Sequence, residues 1–269
     1  MNDVEASAIV DGQLQPLTAA RLAVTDDGVA RGDGAFETVG VWGGRPFRLD
    51  DHLGRLAASL QAVALPPADL AQLRREAEIL LEGVNTDGAL RIYVTATGTR
   101  VVTLSPPPQR GEPRHLIPQP APWIRPVGTF GPAGAKTMSY LPNMAATRMA
   151  QANGADDALL VSLEGWVLEG PTFALMWAAD GTLFAAPIAL GIVDSISRRT
   201  VLELADAQGV PVTLEPRPLD HLLAADEVMI SSAVRPLLAI HRVADRRYPG
   251  ATPLRDRLGA GLDQARFAR

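Results

Sequence analysis

Residues 134–143 read Gly-Ala-Lys-Thr-Met-Ser-Tyr-Leu-Pro-Asn, and they hold the single lysine of the chain, Lys136. The other 24 of the 25 basic residues are arginine, which indicates that lysine has been replaced wherever a positive charge alone suffices. A guanidinium stays protonated, whereas an amine shielded from water can lose its proton and form an imine with a carbonyl compound. Lys136 is therefore a candidate for covalent chemistry. The alternative, which the count alone favours, is a surface lysine that survived by chance.

Composition narrows the class of protein. The 269 residues are 47% hydrophobic and 20% charged, which suits one large globular unit or two small domains. There is no cysteine and the four histidines lie far apart in sequence, so we predict no metal site. A net charge of −5, with scattered basic residues and few aromatics, argues against nucleic acid as a partner. A start without signal-peptide character and the lack of ~18 consecutive apolar residues predict a cytoplasmic protein that does not enter a membrane.

The first part of the chain is predicted to form hairpins and then helices. Asp11-Gly12 and Gly43-Gly44 are tight-turn signals between short apolar runs. Leucines at helical spacing predict a helix over 50–64, with the two aspartates at its start as N-terminal caps, and a second helix is predicted over 68–81. Further strands are predicted at 90–97 and 101–104.

A stretch rich in proline and glycine is the predicted domain boundary. We predict an N-terminal α+β domain over 1–117, a linker over 118–134 and a C-terminal domain over 135–269. Helices are predicted in the second half at 143–152 and 196–208, and strands at 158–162, 166–168, 172–178, 182–186 and 227–231.

Six short motifs make nearly the whole chain resemble the fold type IV enzymes, which use pyridoxal 5′-phosphate (PLP). That group contains branched-chain and D-amino acid aminotransferases, (R)-amine transaminases and aminodeoxychorismate lyases. Each motif alone is weak, but six in the group's order and spacing form a strong signal. The motifs are Arg31-Gly32-Asp33-Gly34-Ala35-Phe36-Glu37-Thr38, Asp51-His52-Leu53-Gly54-Arg55-Leu56, Lys136-Thr137-Met138-Ser139-Tyr140 with Asn143, Gly165-Trp166-Val167-Leu168-Glu169-Gly170, Ile196-Ser197-Arg198 and Val228-Met229-Ile230-Ser231-Ser232.

The resemblance implies an α+β fold of two domains, with the cofactor in the cleft between them. It also implies a homodimer in which a loop of the partner completes the pocket. Lys136 would carry PLP as a Schiff base and, once substrate displaces it, would move the proton between Cα of the substrate and C4′ of the cofactor. Glu169 matches the carboxylate that pairs with the pyridine nitrogen, the alternative being a solvated turn residue. Tyr140 resembles a tyrosine that hydrogen-bonds the ring oxygen, although a packed aromatic explains it equally well.

The cofactor phosphate needs donors, and the resemblance supplies three sets. Arg55 matches an arginine that grips phosphate, its alternative being a surface arginine paired with Asp51. Ile196 and Ser197 stand at a helix start, where the N–H groups and the helix dipole favour an anion. In many aminotransferases of the group a further phosphate ligand is a threonine, but Ala233 takes that position here. The Ala233 amide or the hydroxyl of Ser232 is the predicted substitute.

The reaction type is less determined than the cofactor. Thr97 stands where well-known D-amino acid aminotransferases place an arginine, and the motif after Glu169-Gly170 continues with Pro171-Thr172 and lacks an asparagine. Candidate substrate-binding residues are Phe36, Thr97, Arg100, Thr172 and Arg235. Arg100 and Arg235 are possible carboxylate partners, and each is equally well explained as an ordinary surface arginine.

The first hypothesis is a PLP-dependent aminotransferase that moves an amino group between a D-amino acid or (R)-amine and an α-keto acid. The alternative is an aminodeoxychorismate lyase that forms 4-aminobenzoate and pyruvate. A third hypothesis, from another class, is a PLP-binding protein without catalytic activity. The intact set of Lys136, Glu169 and Arg55 argues against the third.

Overall fold

The structure is a computed structural model that describes residues 6–108, 111–128 and 131–267. Within these ranges the chain divides into two compact units, which do not follow a single cut in the sequence. The first consists of the described part of Met1–Gln109 together with Ala135–Tyr140, and the second of the described part of Arg110–Gly134 together with Leu141–Arg269.

The first unit is one antiparallel sheet covered by two helices. Its strands lie in the order β2-β1-β6-β5-β3-β4, and every pairing is antiparallel. Its elements are β1 (Ser7–Val10), β2 (Gln13–Pro16), α1 (Asp27–Ala30), β3 (Gly34–Trp42), β4 (Arg45–Pro46), α2 (Leu49–Ala62), α3 (Leu70–Leu81), β5 (Gly88–Thr95) and β6 (Arg100–Ser105).

Alternation along the strands produces two faces in this sheet. Ala35 and Val39 of β3 join the leucines of α2 and α3 in one hydrophobic core, because the helices present the apolar stripe that the sequence predicts. Glu37 has the same parity and also faces the helices. Phe36 lies on the opposite face.

The second unit contains two sheets. The five-stranded sheet has the order β11-β10-β9-β12-β13, and the four-stranded sheet has the order β15-β14-β7-β8. Its elements are β7 (His115–Pro120), α4 (Leu141–Ala152), β8 (Asp157–Val161), β9 (Ala174–Ala179), β10 (Thr182–Ala185), α5 (Ile196–Ala207), β11 (Val212–Thr213), α6 (Leu219–Leu223), β12 (Glu227–Ser232), β13 (Arg235–Ile240), β14 (Arg242–Val243), β15 (Arg246–Arg247) and α7 (Pro253–Phe267).

Both hairpins predicted in the first unit form, with β1–β2 and β3–β4 on either side of their turns. The capping prediction for α2 is wrong. Its N-cap is Arg48 in the left-handed conformation, and the helix already begins at Leu49, so Asp50 and Asp51 lie in its first turn. There they still face the positive end of the helix dipole.

The division into units differs from the predicted boundaries at three places. The described residues 111–117, predicted to close the N-terminal domain, belong to the second unit. Residues 135–140 belong to the first unit, where residues 136–138 pair with β3, whereas the predicted linker over 118–134 begins inside β7. Residues 129 and 130 of that linker lie outside the described ranges. Pro118 and Pro120 fit in β7 because β14 pairs only with His115 and Leu116, leaving the prolines with a strand on one side only.

The predicted strand over 166–168 is reduced to isolated bridges, Val161 to Val167 and Trp166 to Pro218. In the described ranges, no helix combines the length and apolar character needed to cross a membrane.

Candidate active site

The segment that carries Lys136 is held as an extra edge of the first unit's sheet. The Phe36 N–H donates to the Lys136 carbonyl at 3.0 Å, and the Met138 N–H donates to the Gly34 carbonyl at 2.9 Å. On its other side, the Lys136 N–H donates to Oγ of Ser59 on α2 at 3.0 Å. Both backbone groups of Lys136 are thereby bonded, so the direction in which its side chain leaves the sheet is determined.

Aromatic rings surround the end of the lysine side chain. Nζ of Lys136 lies 4.2 Å from the ring centre of Phe36 and 5.3 Å from that of Tyr140. Phe36 meets Tyr140 edge to face at 5.3 Å and stacks on Tyr93 at 5.9 Å. Such faces attract an ammonium and displace water from it. The predicted residues Lys136, Tyr140 and Phe36 are therefore brought together.

On the helix-covered face of the sheet, the Glu37 carboxylate binds two side chains of α2, those of Arg55 and His52. Nε and Nη2 of Arg55 each donate to one carboxylate oxygen at 2.7 Å, in the paired geometry that suits a guanidinium. Nδ1 of His52 lies 2.7 Å from Oε2 of the same carboxylate. His52 and Arg55 are three residues apart on one helix face, so both can reach the same strand residue.

Glu37 is ionised although its side chain is fully buried. Burial opposes the charge, but the Arg55 guanidinium and the hydrogen bonds from Arg55 and His52 lower the pKa of Glu37 to about 2. Burial lowers the pKa of His52, which Glu37 only partly offsets, so the ring is neutral at neutral pH. Because an ionised carboxylate only accepts, Nδ1 of His52 carries the proton and donates it.

The observed environment of Arg55 differs from the surface position considered as an alternative in the sequence analysis. The side chain is 9% exposed and bonded to Glu37, not to Asp51, which pairs with Arg48 instead. The surface-arginine alternative is thus wrong. The two bonds to Glu37 use the edge formed by Nε and Nη2 and leave the Nη1 side of the planar group directed away from Glu37.

In the second unit, Glu169 is buried, and both its carbonyl and its carboxylate accept hydrogen bonds from backbone N–H groups. Its carbonyl accepts from the Leu160 N–H of β8 at 2.8 Å, and Oε1 accepts from the Val193 N–H at 3.1 Å. Burial lowers the pKa of nearby Arg198, and the negative charges of Asp194 and Glu169 oppose that effect. The solvated-turn alternative for Glu169 is therefore wrong.

In the turn after Glu169, the backbone of Gly170 lies close to the ring of Phe173. A Cβ on Gly170 would lie 2.0 Å from the ring of Phe173, so any other residue would displace that ring. The side-chain amide of Asn143 on α4 donates to the Pro171 carbonyl at 3.1 Å and holds the turn from the other side.

Two predicted substrate residues meet beside this turn. Nη1 of Arg235 donates to Oγ1 of Thr172 at 3.3 Å. The Arg235 guanidinium also lies 6.0 Å from the ring centre of Phe173. A half-buried guanidinium on an aromatic face is suited to receiving a carboxylate.

The first turn of α5 presents Ile196 and Ser197, as predicted. Ser195 is the N-cap, and its hydroxyl accepts from the Arg198 N–H at 3.3 Å. The N–H groups of Ile196 and Ser197 precede that bond and have no acceptor within the helix. They form a donor pair at the positive end of a helix of 12 residues, which matches the requirements of a phosphate.

Ser232 and Ala233 lie where β12 turns into β13. Ser232 pairs with Arg235, which leaves Ala233 and Val234 as a two-residue turn. The preceding hydroxyl, Oγ of Ser231, is fully buried and has no hydrogen-bond partner among the described residues.

The remaining predicted site residues lie elsewhere in the first unit. Thr97 is exposed, and its hydroxyl accepts from the Asp27 N–H at 2.9 Å. Arg100 has the parity of Val102, faces the helices and lies 3.4 Å from Oε1 of Glu76 on α3. Because Phe36 is on the opposite face of the sheet, we do not retain Arg100 as a carboxylate partner.

The comparison with protein families identifies the family of the chain. The profile of the amino-transferase class IV family matches residues 34–243, which is well over half of the chain. The chain therefore belongs to the class IV aminotransferase family, whose members use PLP.

Similar proteins differ in their activities. The chain is 29% identical to a bifunctional aminodeoxychorismate lyase / D-amino acid transaminase of Mycobacterium tuberculosis, over 95% of this chain and 97% of the relative. It is 28% identical to a putative branched-chain-amino-acid aminotransferase of Methanocaldococcus jannaschii, over 84% of each. It is 23% identical to a D-alanine aminotransferase of Bacillus licheniformis, over 91% of each.

Solved structures confirm the predicted fold class. The fold IV-transaminase CpuTA1 of Curtobacterium pusillum matches with a TM-score of 0.88 and 28% identity, over 97% of this chain and 98% of that one. A hypothetical aminotransferase of Mycobacterium tuberculosis in its PLP-bound form matches with a TM-score of 0.88 and 28% identity, over 98% and 99%. The mixed α/β architecture is thus that of a fold type IV transaminase.

The donor set of this chain fits PLP. An aldehyde needs an amine, and the amine of Lys136 lies over two aromatic rings. A pyridinium nitrogen needs a carboxylate, which Glu169 offers. A phosphate needs N–H donors, and the first turn of α5 presents two.

Sequence reasoning assigned no role to four residues that support these groups. Glu37 and His52 hold Arg55. The sequence did contain a sign of this contact, since Glu37 alternates with apolar residues on the buried face of its strand, and His52 and Arg55 are polar residues three apart on a helix. Ser59 and Asn143 fix backbone groups near Lys136 and Gly170, and a local pattern does not reveal such long-range bonds.

Proposed function

We propose that this protein is a PLP-dependent transaminase that moves an amino group between a D-amino acid or (R)-amine and an α-keto acid. The observation that carries the proposal is the placement of Lys136, with both backbone groups bonded and Nζ over the rings of Phe36 and Tyr140, in a class IV aminotransferase chain. The similarity to a D-alanine aminotransferase and to a D-amino acid transaminase supports the choice of donor.

In this proposal each group has a defined task. When bound, PLP acts as an electron sink that makes the proton on the substrate Cα acidic. Nζ of Lys136 would hold the cofactor and, when freed by the substrate amine, would carry the proton that leaves the substrate Cα. Glu169 stabilises a proton on the pyridine nitrogen. The phosphate donors would be Arg55, the amides of Ile196 and Ser197, and Ser232 or Ala233, and Tyr140 would orient the ring.

A second candidate, aminodeoxychorismate lyase, is favoured by one specific observation. The relative from Mycobacterium tuberculosis that aligns over nearly the full length of both chains is named as both a lyase and a D-amino acid transaminase. The same proton-moving lysine can serve elimination as well as transfer, so the cofactor residues alone do not separate the two reactions.

Purified enzyme should be assayed with D-alanine, L-leucine and (R)-1-phenylethylamine, each with 2-oxoglutarate, and separately with aminodeoxychorismate. We expect turnover of D-alanine or the (R)-amine that depends strictly on the keto acid. Formation of 4-aminobenzoate and pyruvate without any keto acid, in the absence of keto-acid-dependent turnover, would replace the transaminase by the lyase. A visible cofactor band that does not change with any donor would instead support a non-catalytic PLP-binding protein.

Arg235→Gln tests the carboxylate partner within this function. We expect the KM for D-alanine to rise about 10-fold or more, because a charge-assisted hydrogen bond of roughly 1.5–3 kcal/mol is lost. The KM for (R)-1-phenylethylamine, which has no carboxylate, should stay unchanged. Steady-state kinetics with both donors measure the difference. An equal rise for both donors would mean that Arg235 only maintains the pocket through Thr172 and Phe173.

We also propose a homodimer, as the family resemblance implies. Gel filtration with light scattering measures the mass in solution directly, and a monomeric mass for active enzyme would refute this part of the proposal.

A further inference from the structure

The last helix of the second unit ends on a buried arginine. Arg266 lies in the final turn of α7 and is 3% exposed. Its Nη2 donates to the Ser232 carbonyl at 2.9 Å and to the Arg235 carbonyl at 2.7 Å. One nitrogen thus joins both ends of the turn formed by Ala233 and Val234.

The buried guanidinium of Arg266 carries its positive charge at neutral pH. Burial lowers the pKa of Arg266 to about 10, which still leaves it protonated at neutral pH. Oδ1 of Asp263 lies 3.9 Å from Nη1, which is beyond hydrogen-bond distance, whereas both carbonyls lie within it. The bonds to the two carbonyls are therefore charge-assisted, and bonds of this kind are about twice as strong as neutral ones.

The Ser232 carbonyl belongs to the same peptide group as the Ala233 N–H. The described chain contains no cis peptide bond, so these two groups point in opposite directions across one plane. A bond from a cation to the carbonyl fixes the plane and draws electron density away from the nitrogen. Both effects make the Ala233 N–H a better donor on the side of the turn away from Arg266.

We propose that Arg266 is a positioning residue that orients and polarises the Ser232–Ala233 peptide, so that the Ala233 amide donates to the phosphate of the cofactor. Ala233 carries no hydroxyl, and the backbone amide is then the donor that this position offers. The inference rests on the proposed binding of PLP, and it assigns a cofactor-related task to a helix remote in sequence from every phosphate residue predicted above.

The test compares the binding of PLP with that of pyridoxal, which lacks the phosphate. Apoprotein of wild type, Arg266→Met and Arg266→Lys is titrated with each compound, and the ratio of the two Kd values measures the phosphate contribution. We expect this preference for PLP to fall about 10-fold in Arg266→Met, because the Ala233 N–H is no longer held in place and polarised, while Lys136 still binds the aldehyde. Arg266→Lys keeps the charge, but its shorter side chain ends in a tetrahedral ammonium that does not reproduce the position of Nη2, so a smaller loss in the same direction is expected.

Arg257→Gln is the matched control, since Arg257 is an exposed arginine on the same helix. It should retain the wild-type ratio. A merely structural role for Arg266 would weaken PLP and pyridoxal equally and leave the ratio unchanged, which would overturn the inference. If Arg266→Met does not fold, the ratio in Arg266→Lys decides by the same criterion. Wild-type protein that binds neither compound would refute the proposed function itself, and the inference with it.

Discussion

Lys136→Ala is expected to abolish covalent attachment of PLP and to lower kcat by about 10²–10⁴-fold, the usual contribution of a positioned acid–base group. The side chain ends over the rings of Phe36 and Tyr140, and the chain has no other lysine that could take its place. The measurements are the visible absorbance of the bound cofactor and single-turnover kinetics with D-alanine.

Lys136→Arg provides the control for charge. It keeps a cation over the ring of Phe36 but cannot form the covalent link or carry the proton, so it should resemble Lys136→Ala. Activity of Lys136→Arg near the wild-type value would contradict the assigned role, because a point charge would then be sufficient.

Glu37→Gln is expected to destabilise the fold by about 3–5 kcal/mol, the cost of removing one partner from a buried ion pair. The substituted amide would still accept one hydrogen bond, but the charge of Arg55, whose side chain is 9% exposed, would lose its counter-charge. Urea unfolding at neutral pH measures the change. Glu78→Gln on α3 is the matched control, since Glu78 is exposed and surface substitutions of this kind stay within about 0.5 kcal/mol.

The pH dependence of stability gives the same prediction an independent readout. The pKa of Glu37 is lowered from 4.5 to about 2 in the folded protein, so its contribution to stability is present above the higher value and is lost as the pH falls toward the lower one. Wild-type stability should therefore drop across this acidic window more steeply than that of Glu37→Gln. Equal slopes for the two proteins would mean that Glu37 carries no buried charge.

Local patterns predicted the elements whose stabilising contacts are periodic. The leucines of α2 and α3 repeat at helical spacing, and both helices form against β3 and β5. The start of α2 was misplaced because Arg48 adopts a left-handed cap conformation, which side-chain preferences do not indicate. β7 was missed because its prolines are tolerated only through the position of the neighbouring strand β14.

For the candidate site, too, local motifs identified some residues and not others. Lys136, Arg55 and Glu169 were selected by motif, and their roles remain predictions. The residues that fix backbone groups of the site were assigned no role, because Ser59, Asn143 and Arg266 act through bonds to residues far away in the chain. Arg266 was the hardest to anticipate, since the helix α7 that carries it was itself not predicted.

Residues 135–140 belong to the first unit although the chain before them belongs to the second, and this order affects how the first unit is completed during synthesis. A ribosome that has released only the first 109 residues has made six strands, but the edge of β3 at Gly34–Phe36 still lacks the partner that residues 136–138 will supply. An unpaired edge can recruit a foreign strand. The nascent first unit is thus completed by the same segment that delivers the reactive lysine, so the amine enters its aromatic setting as that edge closes.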